Sequence, residues 1–122
     1  MNAVKKGHKG ETIAALDLQS NGYQIVRRNF RCRTGEIDIV ASLDDVLAIV
    51  EVKSWDSYST VDLQYSISRD KKATIVQTTK QFLCEHPEFR NYRIRFDVML
   101  VTPQTGEIEH FEHAFTETGN AW

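Results

Sequence analysis

Two aliphatic stretches separated by a short turn constrain the fold of this chain most. Residues 36–42 and 46–54 are rich in β-branched and aliphatic side chains, and Leu43-Asp44-Asp45 between them has the polar composition of a turn. The sequence therefore predicts a β-hairpin. Charged residues interrupt both strands, and a charge in so hydrophobic a strand is costly unless it is paired, binds a metal or faces a cleft.

The turn also predicts the register of the hairpin. If it is centred between its two aspartates, Asp38 lies opposite Glu51 and Glu36 lies opposite Lys53, and all four side chains share one face. Directly opposed Cβ atoms are about 4.5 to 5.5 Å apart. Asp38 and Glu51 would therefore repel each other unless a cation lies between them.

A hard divalent cation suits this pair of carboxylates. Mg²⁺ binds one or two carboxylates, and waters and phosphate oxygens complete its octahedron. The backbone carbonyl of Val52 is a further candidate ligand, and Lys53 is a candidate to orient or deprotonate an attacking water or to neutralise charge on a phosphate. In the alternative interpretation, Glu36 and Lys53 form an ordinary cross-strand ion pair and the two acids lie at a solvated edge.

The rest of the chain adds helices and strands around the hairpin. Ile13, Leu16 and Leu18 form an apolar stripe in the first helix, which Asn21-Gly22 ends. The predicted elements are a helix over 10–22, a strand from Tyr23 to about Arg33, the hairpin, a helix over 67–85, a strand over 92–102 and a candidate edge strand over 107–115. This order predicts one α/β domain, residues 1–122, with helices against a mixed sheet.

Composition excludes several classes of protein. The chain is 41% hydrophobic and 26% charged, as in ordinary globular domains, and no apolar run approaches the roughly 20 residues that cross a bilayer. We therefore expect no membrane partner. Two cysteines are too few for a disulfide framework, which favours a reducing, cytoplasmic location.

The net charge of −2 conceals a gradient along the chain. Residues 1–35 hold seven Lys or Arg against two carboxylates, whereas the segment from Phe96 onward holds five carboxylates and no Lys or Arg. A nearly neutral protein with such a gradient can still present a basic face to nucleic acid. The candidate backbone contacts are Arg27, Arg28, Arg31 and Arg33, with a merely solvated basic strand end as the alternative.

The motifs together resemble a known family. Gly35-Glu36-Ile37-Asp38-Ile39-Val40 and Val50-Glu51-Val52-Lys53 follow a Gly7-x-x-Gly10-Glu11 helix start, and Lys71 and Arg95-Phe96-Asp97-Val98 also match the pattern. In these features the chain resembles the YraN-type family (UPF0102) of uncharacterised bacterial proteins. That family belongs to the PD-(D/E)xK nuclease superfamily and is similar to archaeal Holliday-junction resolvases.

The resemblance implies a restriction-endonuclease-like α-β-β-β-α-β core with a mixed central sheet flanked by helices. In such a core, Asp38 and Glu51 bind Mg²⁺ or Mn²⁺ and Lys53 serves the hydrolytic water. Glu11 is implied as an additional acidic ligand, with a first-turn carboxylate that favours the helix dipole as the alternative. Lys71 is implied as a phosphate contact, with a solvated helix residue as the alternative.

The expected function is metal-dependent hydrolysis of phosphodiester bonds, in structured or branched DNA. A nucleic-acid-binding or adaptor protein that does not cleave is the alternative on the same fold. By analogy with resolvases, whose two sites act on two strands, we expect a homodimer. The chain departs from the family at Ser54-Trp55, where a small residue and then Arg are usual. Trp55 is a candidate to stack on a base or, alternatively, to pack beside the strand.

Overall fold

The computed structural model describes residues 3–54 and 67–117, with side chains from Lys9 onward. Its elements are α1 (Ala3–Ser20), β1 (Gln24–Cys32), β2 (Gly35–Leu43), β3 (Val46–Ser54), α2 (Arg69–Glu85), β4 (Arg93–Thr102) and β5 (Glu107–Phe115), with a 3₁₀ turn at Pro87–Phe89. Among these residues, no helix is long and apolar enough to cross a membrane.

One mixed sheet organises the molecule. Its strand order is β1-β2-β3-β4-β5, with β3 and β4 parallel and every other neighbouring pair antiparallel. The parallel pair requires a crossover, and α2 lies in it. The helices cover opposite faces of the sheet. This is the predicted restriction-endonuclease-like core, with the expected edge strand over Glu107–Phe115 confirmed.

Helix α1 differs from its prediction in extent and in one face residue. It begins at Ala3 rather than near Gly10, and Leu16 is 61% exposed. Ala14, Ala15 and Leu18 pack on the sheet, together with the partly buried Ile13. At 100° per residue, Leu16 lies roughly opposite Ala14 on the helix, so its assignment to the apolar stripe was wrong.

Strands β1 and β2 twist together at Asn29 and Asp38. Asn29 has a left-handed backbone, with φ 55°, and the register places it opposite Asp38. Ile37 belongs to the core beneath α2, whereas Ile39 belongs to the core beneath α1. Alternate residues of a regular strand share a face, so β2 reverses its faces between these two isoleucines.

Beyond the twist, the β1–β2 turn packs on α2. The hydroxyls of Thr34 and Thr78 are hydrogen-bonded at 3.0 Å. A Cβ placed on Gly35 would lie 2.5 Å from Cγ2 of Thr74, so the backbone passes as close to the helix as a glycine allows. These contacts fix α2 against the β1–β2 turn.

On the other face, Asp97 anchors β5 to β4. Its buried carboxylate accepts two hydrogen bonds from the guanidinium of Arg95, at 2.8 and 2.9 Å, and one from the backbone N–H of His113 at 3.0 Å. His110 Nε2 lies 2.8 Å from the same carboxylate. The register between β4 and β5 shifts at Asp97, so this group fills a bulge that the ladder leaves open.

Candidate active site

Asp38 lies where β2 separates from β3. The ladder between these strands follows the predicted register up to the pair Ile39–Val50 and ends there. Beyond it, Oδ2 of Asp38 accepts a hydrogen bond from the backbone N–H of Val52 at 2.8 Å. A side-chain oxygen therefore takes the place of a backbone acceptor and holds this carboxylate on β3, beside Glu51.

Glu51 is the more buried acid of the pair. Its side chain is 8% exposed, and Oε1 lies 3.2 Å from Nζ of Lys71. Lys71 belongs to the first turn of α2, where Ser68 caps the helix by accepting a hydrogen bond from the Lys71 backbone N–H at 3.1 Å. The first turn of α2 thus places the Lys71 ammonium group beside Glu51 of the central strand β3.

The surroundings of both acids disfavour their ionised forms. Burial, and then the charge of Asp38, raise the pKa of Glu51 to about 7, against an opposing effect of Lys71 and Lys53. Burial also raises the pKa of Asp38, and Glu36 adds to the effect, while the Val52 N–H opposes it. The negatively charged forms of both acids are therefore disfavoured, and a cation bound between them would relieve this cost.

The donor set fits a hard divalent cation. Among residues 3–54 and 67–117, no group of three or more His, Cys, Asp and Glu side chains is placed to hold a metal ion. Two carboxylates suffice for Mg²⁺, which keeps several waters and takes its other ligands from substrate phosphates. Asp38 and Glu51 would hold the ion, with the Val52 carbonyl as a further candidate ligand.

Lys53 lies next to this pair. It is half-buried, two residues beyond Glu51 and therefore on the same face of β3. Its positive charge lowers the pKa of both Asp38 and Glu51, although it forms no ion pair with a described residue. The structure thus brings four of the predicted site residues close together: Asp38, Glu51, Lys53 and Lys71.

Comparison with known sequences places the chain in a family. A model described as "Uncharacterised protein family UPF0102" matches residues 10–101. The chain belongs to UPF0102. A UPF0102 protein of Treponema pallidum subsp. pallidum is 39% identical over 91% of this chain and 92% of its own length. UPF0102 proteins of Natranaerobius thermophilus and Rhodopseudomonas palustris are 38% and 36% identical, over 94% and 95% of this chain and 100% and 87% of their own lengths.

Glu36 of this UPF0102 chain does not pair with Lys53. The β2–β3 ladder ends before these residues, and Glu36 instead lies opposite Arg31 on β1, with its Oε2 2.9 Å from Nε of Arg31. The expectation that Glu36 and Lys53 oppose each other was therefore wrong. The twist at Asp38 is the reason, because it turns the start of β2 away from β3.

Glu11 lies on α1 and contacts β1. Its carboxylate is 3.9 Å from the guanidinium of Arg28, which also donates a hydrogen bond to Thr12 at 3.2 Å. Within the described residues, Glu11 does not join Asp38 and Glu51 in a group of three potential ligands. Its role as an additional metal ligand stays a prediction.

The other predicted basic contacts lie at the sheet edge formed by β1. Arg27, Arg31 and Arg33 are exposed, whereas Arg28 is half-buried against α1. The guanidinium of Arg27 lies 5.5 Å from the centroid of the Phe30 ring. Trp55 lies outside the described residues.

Two features of the UPF0102 site are absent from the sequence-based prediction. One is the ion pair between Lys71 and Glu51, which joins residues 20 positions apart through the packing of α2. The other is the left-handed backbone of Asn29. Asn is among the few residues that adopt this conformation readily, but an asparagine within a strand does not by itself signal it.

Proposed function

We propose that this UPF0102 protein is a metal-dependent endonuclease that hydrolyses phosphodiester bonds in structured or branched DNA. The observation that carries the proposal is the convergence of Asp38 and the buried Glu51 on one side of β3, with Lys53 and Lys71 beside them. Two neighbouring acids whose charged forms are disfavoured, next to two lysines, suit a site for a cation and a phosphate.

The proposed cation is Mg²⁺ or Mn²⁺, held by Asp38 and Glu51. When bound, it would supply Lewis-acid stabilisation of the phosphate and lower the pKa of water. The Val52 N–H keeps Asp38 oriented, and burial keeps bulk water from competing for Glu51. Both acids are therefore set in place before the ligand arrives, which reduces the cost of reorganisation.

Lys53 and Lys71 are the proposed contacts to the scissile phosphate and to the water that attacks it. Lys53, on the same face of β3 as Glu51, is proposed to orient that water or to stabilise the charge that develops on the phosphate. Lys71 is about half exposed and can reach a neighbouring phosphate. Arg27, Arg31 and Arg33 at the β1 edge would extend the contact along a nucleic-acid backbone.

A cleavage assay tests the proposal. Linear, flapped and four-way-junction DNA are incubated with Mg²⁺, Mn²⁺ or EDTA, and Asp38→Asn and Lys53→Ala are compared with the parent. We expect each substitution to slow cleavage by about 10²- to 10³-fold, because each removes a group that acts on the developing charge. Asp45→Asn is the matched control, since Asp45 is exposed and pairs with Arg93 far from the site.

Cleavage that continues in EDTA, or that proceeds at the parental rate in Asp38→Asn, contradicts the proposed mechanism. Binding of DNA without cleavage of any substrate supports the alternative, a nucleic-acid-binding or adaptor protein on the same fold. A homodimer is part of the proposal, because two strands of a junction need two sites. Sedimentation of the DNA complex as a monomer contradicts that part alone.

A further inference from the structure

The Lys71–Glu51 ion pair suggests a second role for this lysine. We propose that Lys71 holds the place of the cation in the metal-free protein, and that a divalent ion displaces it toward the phosphate. The inference rests on the proposed metal site. It goes further in making one side chain the link between metal binding and nucleic-acid binding.

The positions of the two charged groups support a displaceable contact. Glu51 is almost completely buried, and Nζ of Lys71 lies 3.2 Å from its Oε1. The Lys71 side chain is 47% exposed, so its ammonium group can leave Glu51 and still be solvated. Glu51 has no such freedom, because the central strand holds it between β2 and β4.

The backbone of Lys71 is fixed, whereas its ammonium group is exposed enough to move. Ser68 caps α2 and accepts from the Lys71 backbone N–H, and Thr78 joins the same helix to the β1–β2 turn through Thr34. Displacement therefore needs new side-chain rotamers only, which exposed residues reach in picoseconds to nanoseconds. The helix itself can stay where it is.

Because both are positively charged, the Lys71 ammonium group and a divalent ion cannot bind Glu51 at the same time. An ammonium group and a divalent cation that share one carboxylate repel each other within a few ångströms. Metal binding would thus free Lys71 at the mouth of the site, and a phosphate that takes up the free ammonium would favour the metal-bound state. By linkage, metal and nucleic acid then strengthen each other's binding by the same factor.

Mn²⁺ binding in the absence of nucleic acid tests the inference. The full chain is titrated with Mn²⁺, and the free ion is measured by electron paramagnetic resonance. We expect Lys71→Met to bind Mn²⁺ about fivefold more tightly than the parent, because the ion no longer competes with an ammonium group. Lys71→Arg, which keeps the charge, should bind like the parent.

Lys80→Met is the matched control, because Lys80 lies exposed on the same helix, away from Glu51. If Lys71→Met fails to fold by circular dichroism, Lys71→Gln replaces it, since it keeps a donor for Glu51 without the charge. An affinity for Mn²⁺ that is unchanged or lower in the uncharged variant overturns the inference, even where the parent cleaves DNA.

The inference and the proposed nuclease activity can fail separately. Tighter Mn²⁺ binding by Lys71→Met supports the inference even if no DNA substrate is cleaved. Absence of Mn²⁺ binding by the parent and by every Lys71 variant contradicts both, because each requires the metal site.

Discussion

Asn29 shows how one residue shapes the site without belonging to it. Its left-handed backbone lies opposite Asp38. At this point along β2, the side chains switch from one face of the sheet to the other. Because β2 turns away from β3 there, the Val52 N–H is left without a ladder partner and bonds the Asp38 carboxylate instead. The orientation of a proposed metal ligand thus depends on a backbone angle in the next strand.

We predict that Asn29→Ala destabilises the protein, whereas Asn29→Gly does not. Both substitutions remove the amide, but only glycine adopts a left-handed backbone without steric cost. Alanine should lower the free energy of unfolding by about 1 to 2 kcal/mol, measured by urea denaturation. Equal stability of the two variants would mean that the side chain of Asn29, rather than its backbone, matters.

The lowered pKa of Asp97 predicts how the stability of the protein changes at acidic pH. Burial raises the pKa of this carboxyl, but hydrogen bonds from His110, Arg95 and the His113 N–H outweigh it, so the folded-state pKa lies below the usual value. The unfolded chain then binds a proton at higher pH than the folded protein does. The stability that Asp97 contributes is present above the ordinary aspartate pKa, about 3.9, and is lost as the pH falls through the folded-state pKa.

Asp97→Asn should therefore cost about 3 to 5 kcal/mol at pH 7, because it leaves the guanidinium of Arg95 without its buried partner. The variant should also lose less stability than the parent between pH 6 and pH 3. Thermal melting across this range measures both effects. Asp45→Asn is the control, since its ion pair with Arg93 is exposed, and a similar cost for both substitutions would contradict the prediction.

At the level of elements, the junction between the β1–β2 turn and α2 positions Lys71. Gly35 has φ +154° and nearly touches Thr74, while Thr34 bonds Thr78 one turn further along the helix. A threonine in a helix has few rotamers with which to move aside. Glycine is therefore required at position 35 for two reasons: the backbone has a positive φ, and a Cβ would collide with Thr74.

Gly35→Ala should destabilise the protein by more than the backbone conformation alone explains. Gly106→Ala gives the reference, because Gly106 also has a positive φ, 77°, but a Cβ there meets no atom within 4 Å. We expect about 1 kcal/mol for Gly106→Ala and about 2 to 4 kcal/mol for Gly35→Ala. Thr74→Ser, which removes the methyl group, should recover part of the difference in chemical denaturation, and no recovery would contradict a steric cause.

The elements also show how far sequence reasoning reaches. The LDD turn predicted the hairpin register correctly as far as Ile39–Val50, because a turn fixes the pairs that follow it. It failed at Glu36, because the twist arises from Asn29 and from the contact of Gly35 with α2, neither of which the turn determines. The pair Lys71–Glu51 was missed for the same reason, since only the packed position of α2 brings the two together.

Across the whole molecule, the charge gradient of the sequence becomes a gradient across the sheet. β1 and β5 are its two edges. The β1 edge presents Arg27, Arg31 and Arg33, whereas the exposed charges of β5 are Glu107, Glu109 and Glu112. The proposed site lies between the two edges. A phosphate backbone would therefore approach it from β1 and be repelled along β5.

The strand register also shows which exposed arginines lie at the same end of the sheet as the proposed site. The turn that contains Arg33 joins β1 to β2 at the start of β2, near Asp38, and therefore at the end of the sheet where Lys53 lies. Arg93 pairs with Val46 at the opposite end. Val46 and Lys53 are seven residue steps apart along β3, which is roughly 23 Å at the rise of a β-strand. Arg33 and Arg93 are both exposed arginines, but only Arg33 lies at the end of the sheet that holds the proposed site.

Arg33→Ala should consequently weaken DNA binding and reduce the slope of log K against log[salt] by about 0.9, the value for one phosphate contact. Arg93→Ala should leave the slope unchanged, and Glu109→Gln should not weaken binding, because it removes negative charge from the far edge. Fluorescence anisotropy at 50 to 200 mM salt, with EDTA to prevent cleavage, measures all three. Equal losses for Arg33→Ala and Arg93→Ala would mean that the basic charge of the chain attracts DNA without orienting it on the β1 edge.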